Sequence, residues 1–339
     1  MRKRFTLISL LFVSLSLYSQ DIHFSQYYAS PVNLNPANIG AFNGSFRLVA
    51  NYRNQWYSFL KSSSYQTFSG SIDAPILRNK LREDGLGVGL VVFNDKSGNG
   101  GLTNLTVMAG AAYHKSLDDF NKYSLSLGVQ GGIVQRRVDF TKLLFEEQFD
   151  SDLGFDPNLG NGENIDRSSF IYGDFSIGLL FRGRFSDNVN AYFGGGAYHL
   201  HKPKESFLGD TENKLDARFV AHGGVDVGIG EYVTLTPGFM YLVQGTAQEV
   251  NVGLALGYKI NDINAFYFGS WYRILESDAL VMMAAYEISG FRVGLSYDIN
   301  LSDLKLASNS QGAVEVSLIY IHGKEPERQM SPVKFCPRF

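Results

Sequence analysis

The chain has 339 residues, with 36 Gly, 26 Phe, 19 Tyr and only 9 Pro. Its net charge of −3 and 19% charged residues leave no basic excess, which argues against nucleic acid as a partner. A single cysteine, Cys336, excludes an internal disulfide and makes no metal site by itself. At the N-terminus, Arg2, Lys3 and Arg4 precede an apolar stretch and then the small Ser19. That order predicts a secretory signal peptide over residues 1–19, cut to leave Gln20 or the next residue first. An uncleaved anchor helix is the alternative, and the apolar run is short for it. No cysteine follows, so no lipoprotein anchor is expected.

Residues 20–43 have no period and carry Pro31 and Pro36, which reads as an irregular lead-in, periplasmic or lumenal. Alternation then begins. Strands are expected at 45–53, 64–73, 85–93, 102–113, 123–134, 168–182 and 188–200. More follow at 218–228, 232–243, 249–259 and 264–273, then a hairpin over 278–300 around Ser289-Gly290, then 313–321. In the hairpin, Phe291, Val293, Leu295, Tyr297 and Ile299 oppose Arg292, Gly294, Ser296, Asp298 and Asn300. One face is greasy and the other is wet or small.

No run beyond the signal approaches the ~20 apolar residues of a membrane helix; the greasiest stretch is 279–286. A chain that crosses a membrane as strands must close on itself, because an open edge leaves unpaired amides in lipid. The expected fold is therefore all-β: a transmembrane antiparallel up-and-down β-barrel of about fourteen strands over residues 44–322, with a polar periplasmic tail at 323–339. The connections agree. Those after odd-numbered strands include the long 139–167, 201–216 and 301–312; those after even-numbered strands are short, except 74–84. Long loops on one side and tight turns on the other mark an outer-membrane barrel, with both ends of the barrel on the short-turn side.

The inward faces hold Gly, Ser and Asn with few charges, among them Arg218, Asp226 and Arg292. That predicts a filled or narrow lumen, although small inward residues also serve packing alone. Tyr52, Trp56, Tyr113, Tyr258, Trp271, Tyr297 and Tyr320 fall towards strand ends, as interfacial girdles require.

Chemistry is thin. Gly85-x-Gly87-x-Gly89 lies inside a strand and lacks the Lys-Ser/Thr ending of a phosphate loop, so packing or curvature explains it. His199-x-His201 with Glu205 is the nearest approach to a zinc set, against the plainer reading of a loop base. Glu146, Glu147, Asp150, Asp152 and Asp156 lack calcium-loop spacing and read as a solvated loop. No Ser sits in a nucleophile elbow, so no catalytic, cofactor or metal residue is assigned.

The residues Gln20-Asp21, Phe24-Ser25-Gln26-Tyr27-Tyr28, Asn35-Pro36-Ala37, Gly40 and 47–56 (RLVANYRNQW) carry a resemblance. So do Pro203, Ser206-Phe207, Leu215-Asp216-Ala217-Arg218, His222-Gly223-Gly224, Tyr286-Glu287, Phe291-Arg292-Val293-Gly294, Ser296-Tyr297-Asp298-Ile299 and Cys336-Pro337-Arg338-Phe339. In this order, over the whole mature chain, they resemble the PorP/SprF outer-membrane proteins of Bacteroidetes type IX secretion and gliding systems. Phe339 departs from the barrel habit of ending on an aromatic residue in the last strand, since it lies well past 321.

The resemblance implies a non-enzymatic barrel without cofactors. Its partners would be a large secreted protein with a C-terminal type IX signal domain, such as a gliding adhesin, other type IX outer-membrane or periplasmic components, and membrane lipid. A passive channel or solute transporter is the alternative. The expected partner-binding residues are the large apolar ones in the long loops: Leu143, Leu144, Phe145, Phe149, Phe155, Phe207 and Leu208. The competing reading has them capping the barrel mouth.

Overall fold

The structure is a computed structural model and describes residues 21, 23–77, 84–150, 154–156, 159–160, 162, 167–207, 212–275, 279–302 and 305–323. The predicted signal peptide, Asp152, Leu208, Cys336 and residues 324–339 lie outside them. Among these residues fourteen strands close into one barrel. The first five are β1 (Phe46–Gln55), β2 (Tyr65–Ile76), β3 (Gly85–Ser97), β4 (Leu102–Ser116) and β5 (Tyr123–Arg137). Then come β6 (Ser169–Ser186), β7 (Val189–Tyr198), β8 (Arg218–Ile229) and β9 (Val233–Gln244). The last are β10 (Ala247–Lys259), β11 (Asn264–Ile274), β12 (Ala279–Ile288), β13 (Phe291–Asn300) and β14 (Gln311–His322). Every neighbour in sequence pairs antiparallel, and β1 zips to β14 from Phe46↔His322 to Gln55↔Ala313. No open edge is left in the barrel for lipid to meet.

Period two decides what each strand shows to the membrane. On β5, Leu125, Leu127 and Val129 are exposed, while Ser126 and Gln130 on the opposite face are buried. On β13, Leu295 and Tyr297 face out; Ser296 and Asp298 are buried. In an isolated chain, exposed rows of Leu, Val and Phe would be a liability; around a closed barrel they are the lipid-facing band. The hairpin between β12 and β13 turns as its dipeptide predicts. Ser289 and Gly290 both have positive φ, 50° and 82°, which is the twist a two-residue hairpin needs.

The long connections 138–168, 199–217 and 301–310 all leave one end of the barrel. The opposite end carries turns as short as 187–188 and 289–290. A small two-stranded hairpin, 149–150 with 154–155, sits within the longest loop. Tyr52, Tyr113, Tyr258 and Tyr297 are exposed near strand ends, as girdles require. Trp271 corrects that expectation. It is 1% exposed and lies inside the barrel, 5.0 Å from the Tyr28 ring. It occupies an inward position of β11, where its neighbour Tyr272 is the outward aromatic.

The seam gives a direct test. Ala50 and Leu318 are Cα partners across β1 and β14. In a Cys336→Ser background, Ala50→Cys with Leu318→Cys should cross-link under mild oxidation and yield a circularised barrel on denaturing gels. Failure of this pair, beside success of a pair from β5 and β6, would show that the ends do not meet.

Candidate functional site

The lumen is filled by the chain's own lead-in. From Phe24 to Phe42 nearly every residue is buried, and its contacts reach inward positions all round the barrel. Asp21 lies at the long-loop mouth, where its amide donates to Gln244 Oε1 (2.9 Å) at the end of β9. Gly44 lies at the other mouth, packed on Ile321 and His322 at the end of β14. The segment therefore threads the lumen from the long-loop end to the short-turn end, then enters β1. Strand parity alone puts the start of β1 at the short-turn side; threading carries Asp21 to the opposite mouth.

Apolar side chains of the segment make a core inside the barrel. Tyr27, Tyr28 and Leu34 pack with Met240, Leu242, Trp271, Val281 and Met283. Val32 and Ile39 pack with Val91 and Met108, and Ala37 with Leu180 and Tyr192. This explains why β12 is greasy on both faces: Met282 looks to lipid, and Val281 and Met283 look to the segment.

Buried ion pairs clamp the segment at two levels. Near the short-turn end, Arg47 donates from Nε and Nη2 to the two Asp73 oxygens at 2.9 and 2.7 Å. Asp73 also accepts the Gly40 amide (2.7 Å), and Arg47 donates to the Asn38 carbonyl (3.1 Å). Near the long-loop end, Glu315 accepts the amides of Ser25 (2.6 Å) and Gln26 (2.9 Å). Ser25 Oγ donates to Asp298 (2.7 Å), and Arg53 and Arg273 both donate to Ser25 and to Asp298. Between the clamps Asn35 donates to the Leu179 carbonyl (2.9 Å) and Gln130 to that of Val32 (3.2 Å), and just past the Gly40 clamp Arg182 donates to the Ala41 carbonyl (3.0 Å). Buried charges of this kind persist only when paired and hydrogen-bonded. The expectation of few inward charges is thus corrected: Arg47, Arg53, Asp73, Glu249, Arg273, Asp298 and Glu315 all face in.

Inward glycines give the segment its room. A Cβ on Gly87 would lie 2.2 Å from the Ile39 carbonyl oxygen, and one on Gly128 would lie 2.2 Å from the Pro36 carbonyl carbon. The Gly85-x-Gly87-x-Gly89 pattern is therefore a place of close backbone approach. Beside the segment a cavity of about 60 Å³ remains, lined in part by Phe24, Asn33, Met108 and Tyr198. It has room for a few waters and no room for a polypeptide.

At the long-loop mouth His199 stands between Asp21 and Asp174, 2.8 Å from the latter. Burial alone would lower its pKa, but the two carboxylates outweigh burial and push it up to about 9. Burial likewise opposes ionisation of Asp21, yet His199 and Arg218 hold it well below the usual carboxylate range. His23 lies 3.4 Å from Glu249. The zinc-like set is taken apart by these contacts. His201 lies against the Phe175 ring, and Glu205 pairs with Arg136 (2.9 Å) and Tyr172.

The loop residues expected to bind a partner divide into two groups. Phe207 is half-buried between Phe140 and Phe170, with centroids at 6.0 and 4.8 Å. Leu143 is half-buried over Gly100, and Phe145 is half-buried. Leu144, Phe149 and Phe155 are exposed, at 63%, 57% and 49%. Phe149 and Phe155 stack edge to face across the small hairpin, centroids 5.2 Å apart. Leu208 lies outside the described residues. Sequence reasoning missed the luminal segment's polar contacts, because its residues carry no period that would mark a packed face.

Two measurements test the filled lumen. Gly128→Val should expel the segment or block assembly, so chymotrypsin should cut the variant at Tyr27 or Tyr28 and spare the wild type. The His199 pair should stabilise the protein fully below its unfolded pKa of 6.5 and lose that effect as pH rises through about 9. The stability gap to His199→Gln should then shrink from the order of 3 kcal/mol to nothing over that window. Urea unfolding followed by the fluorescence of buried Trp271 reads it.

The fold resembles solved outer-membrane barrels. The Ralstonia pickettii toluene transporter TbuX aligns with a TM-score of 0.50 and 12% identity, over 87% of this chain and 94% of that one. The CymD monoaromatic hydrocarbon channel aligns with a TM-score of 0.51 and 11% identity, over 88% and 94%. At such identity the likeness shows the fold. No curated protein matches the sequence. The model of the type IX secretion system membrane protein PorP/SprF matches residues 16–320, and the chain belongs to that family of outer-membrane barrels.

Proposed function

We propose that this barrel is a closed, non-enzymatic component of type IX secretion that assists export or cell-surface attachment of a large secreted protein, with the long loops as its docking face. The observation that carries the reading is the lumen threaded by residues 23–43 and clamped at both ends. A barrel so filled has no path for a polypeptide, so its work with a secreted protein lies at its surfaces. The family supports the setting. The exposed Phe149–Phe155 pair and Leu144 supply large exposed apolar side chains at the mouth that faces outward in this reading.

A passive solute channel is the competing reading, favoured by the fold likeness to transport barrels. Planar-bilayer recording separates the two: the wild type should give no stable single-channel current. Steady conductance in the wild type would favour the channel.

The docking face has its own test. Phe149→Ser with Phe155→Ser should leave barrel assembly unchanged and release the secreted partner from cells into the medium, or trap it inside. Unchanged secretion and retention would remove these loops from the mechanism.

A further inference from the structure

The outer wall is not even. Across β13, β14, β1, β2 and β3 runs an oblique groove of about 650 Å³, lined by Leu48, Ala50, Gly70, Ile72, Leu90 and Phe291 among others. Its floor is made of small outward residues: Ala50 pairs with Gly70 on one side and with Leu318 on the other.

Among the described residues, none comes close enough to Gly70 to require the absent side chain. Inward glycines such as Gly87 and Gly128 have the luminal segment against them. The outward glycines Gly131 and Gly223 lie under neighbouring rings, where a Cβ would meet Phe175 at 3.0 Å and Phe239 at 2.9 Å. A Cβ on Gly70 would meet only the Phe68 ring at 3.8 Å and the Val49 carbonyl oxygen at 4.0 Å, which is ordinary contact. The fold tolerates a side chain there, as it does at outward Gly173, whose Cβ would meet only the Gly132 carbonyl oxygen at 3.8 Å; what sets Gly70 apart is that it lines the groove.

Position and chemistry select the occupant. No charged side chain lines the groove, and it lies in the lipid-facing band. A peptide backbone there would leave amides unpaired in hydrocarbon, whereas an acyl chain has none to satisfy. The groove starts at Phe291 and Tyr320, at the short-turn interface, where the Tyr320 hydroxyl lies 3.1 Å from His322 Nδ1. It ends near Ala50 and Val92, midway along the wall. A groove reaching from the interface to mid-wall matches about one leaflet, half of the ~30 Å hydrocarbon core.

We propose that the groove holds an acyl chain of a phospholipid from the leaflet at the short-turn end, a fixed lipid site beside the seam where β1 meets β14. The test reconstitutes the full chain in vesicles containing phosphatidylethanolamine with a photoactivatable diazirine on one acyl chain, and maps adducts by mass spectrometry. Adducts should gather on the peptides bearing Leu48, Ile72 and Leu90, several-fold above those on the outward face bearing Phe239, Leu254 and Phe268. Gly70→Leu and Ala50→Leu, each verified as folded by heat-modifiable gel mobility, should erase the excess. Even labelling round the wild-type barrel overturns the site whether or not the variants fold, and so does an excess that survives both substitutions.

Discussion

Closing fourteen strands encloses more space than their own inward side chains fill. Eight strands are about the limit at which side chains alone occupy the interior. A wider barrel leaves its lumen to water or to something inserted in it. Here the chain inserts its own lead-in. The residue choices on the inner wall follow from that need: glycine where the segment's backbone comes close, arginine and carboxylate where its amides and carbonyls need partners, and apolar side chains where its tyrosines lie.

The barrel therefore carries two apolar layers with different solvents. The outer one faces lipid and gains nothing from excluding water after insertion. The inner one is a protein core, packed around Tyr27, Tyr28, Val32 and Ile39. Polar contacts at each mouth fix how the segment sits within it. Removing one partner of Arg47–Asp73 would leave a lone buried charge at a cost of about 3–5 kcal/mol. These pairs join wall to wall, so the thread's register is set by the hydrogen bonds they spare for it: the Gly40 amide on Asp73 and the Ser25 and Gln26 amides on Glu315.

The strands were legible because period two is a local property. Leu125 and Leu127 against Ser126 need no knowledge of the rest of the chain to be read as a lipid face and an inner face. The seam followed from chemistry, since an open edge has no partner in lipid. The filling was only half legible. Small inward residues pointed to a crowded lumen, but Ser25, Gln26 and Asn35 take their roles from strands up to 290 positions away. Nothing local distinguishes such residues from a solvated linker. Trp271 misled for a related reason: β11 is aromatic on both faces, and only the presence of Tyr28 inside decides which ring belongs to the core.

The loop crown shows the same division between a rooted part and a free part. Phe207 is wedged against Phe140 and Phe170, and Glu205 ties the second long loop to Arg136 on β5. These contacts fix the loop bases on the barrel rim. The stacked Phe149 and Phe155 stand clear of them. An aromatic pair held by a hairpin has already lost much of the freedom that binding would otherwise remove, so its apolar area counts more fully towards association. Capping and docking are thus not rival uses of one loop. The half-buried Phe207 packs against the loop base, and under the docking proposed above such rooting would hold the exposed Phe149–Phe155 pair in place.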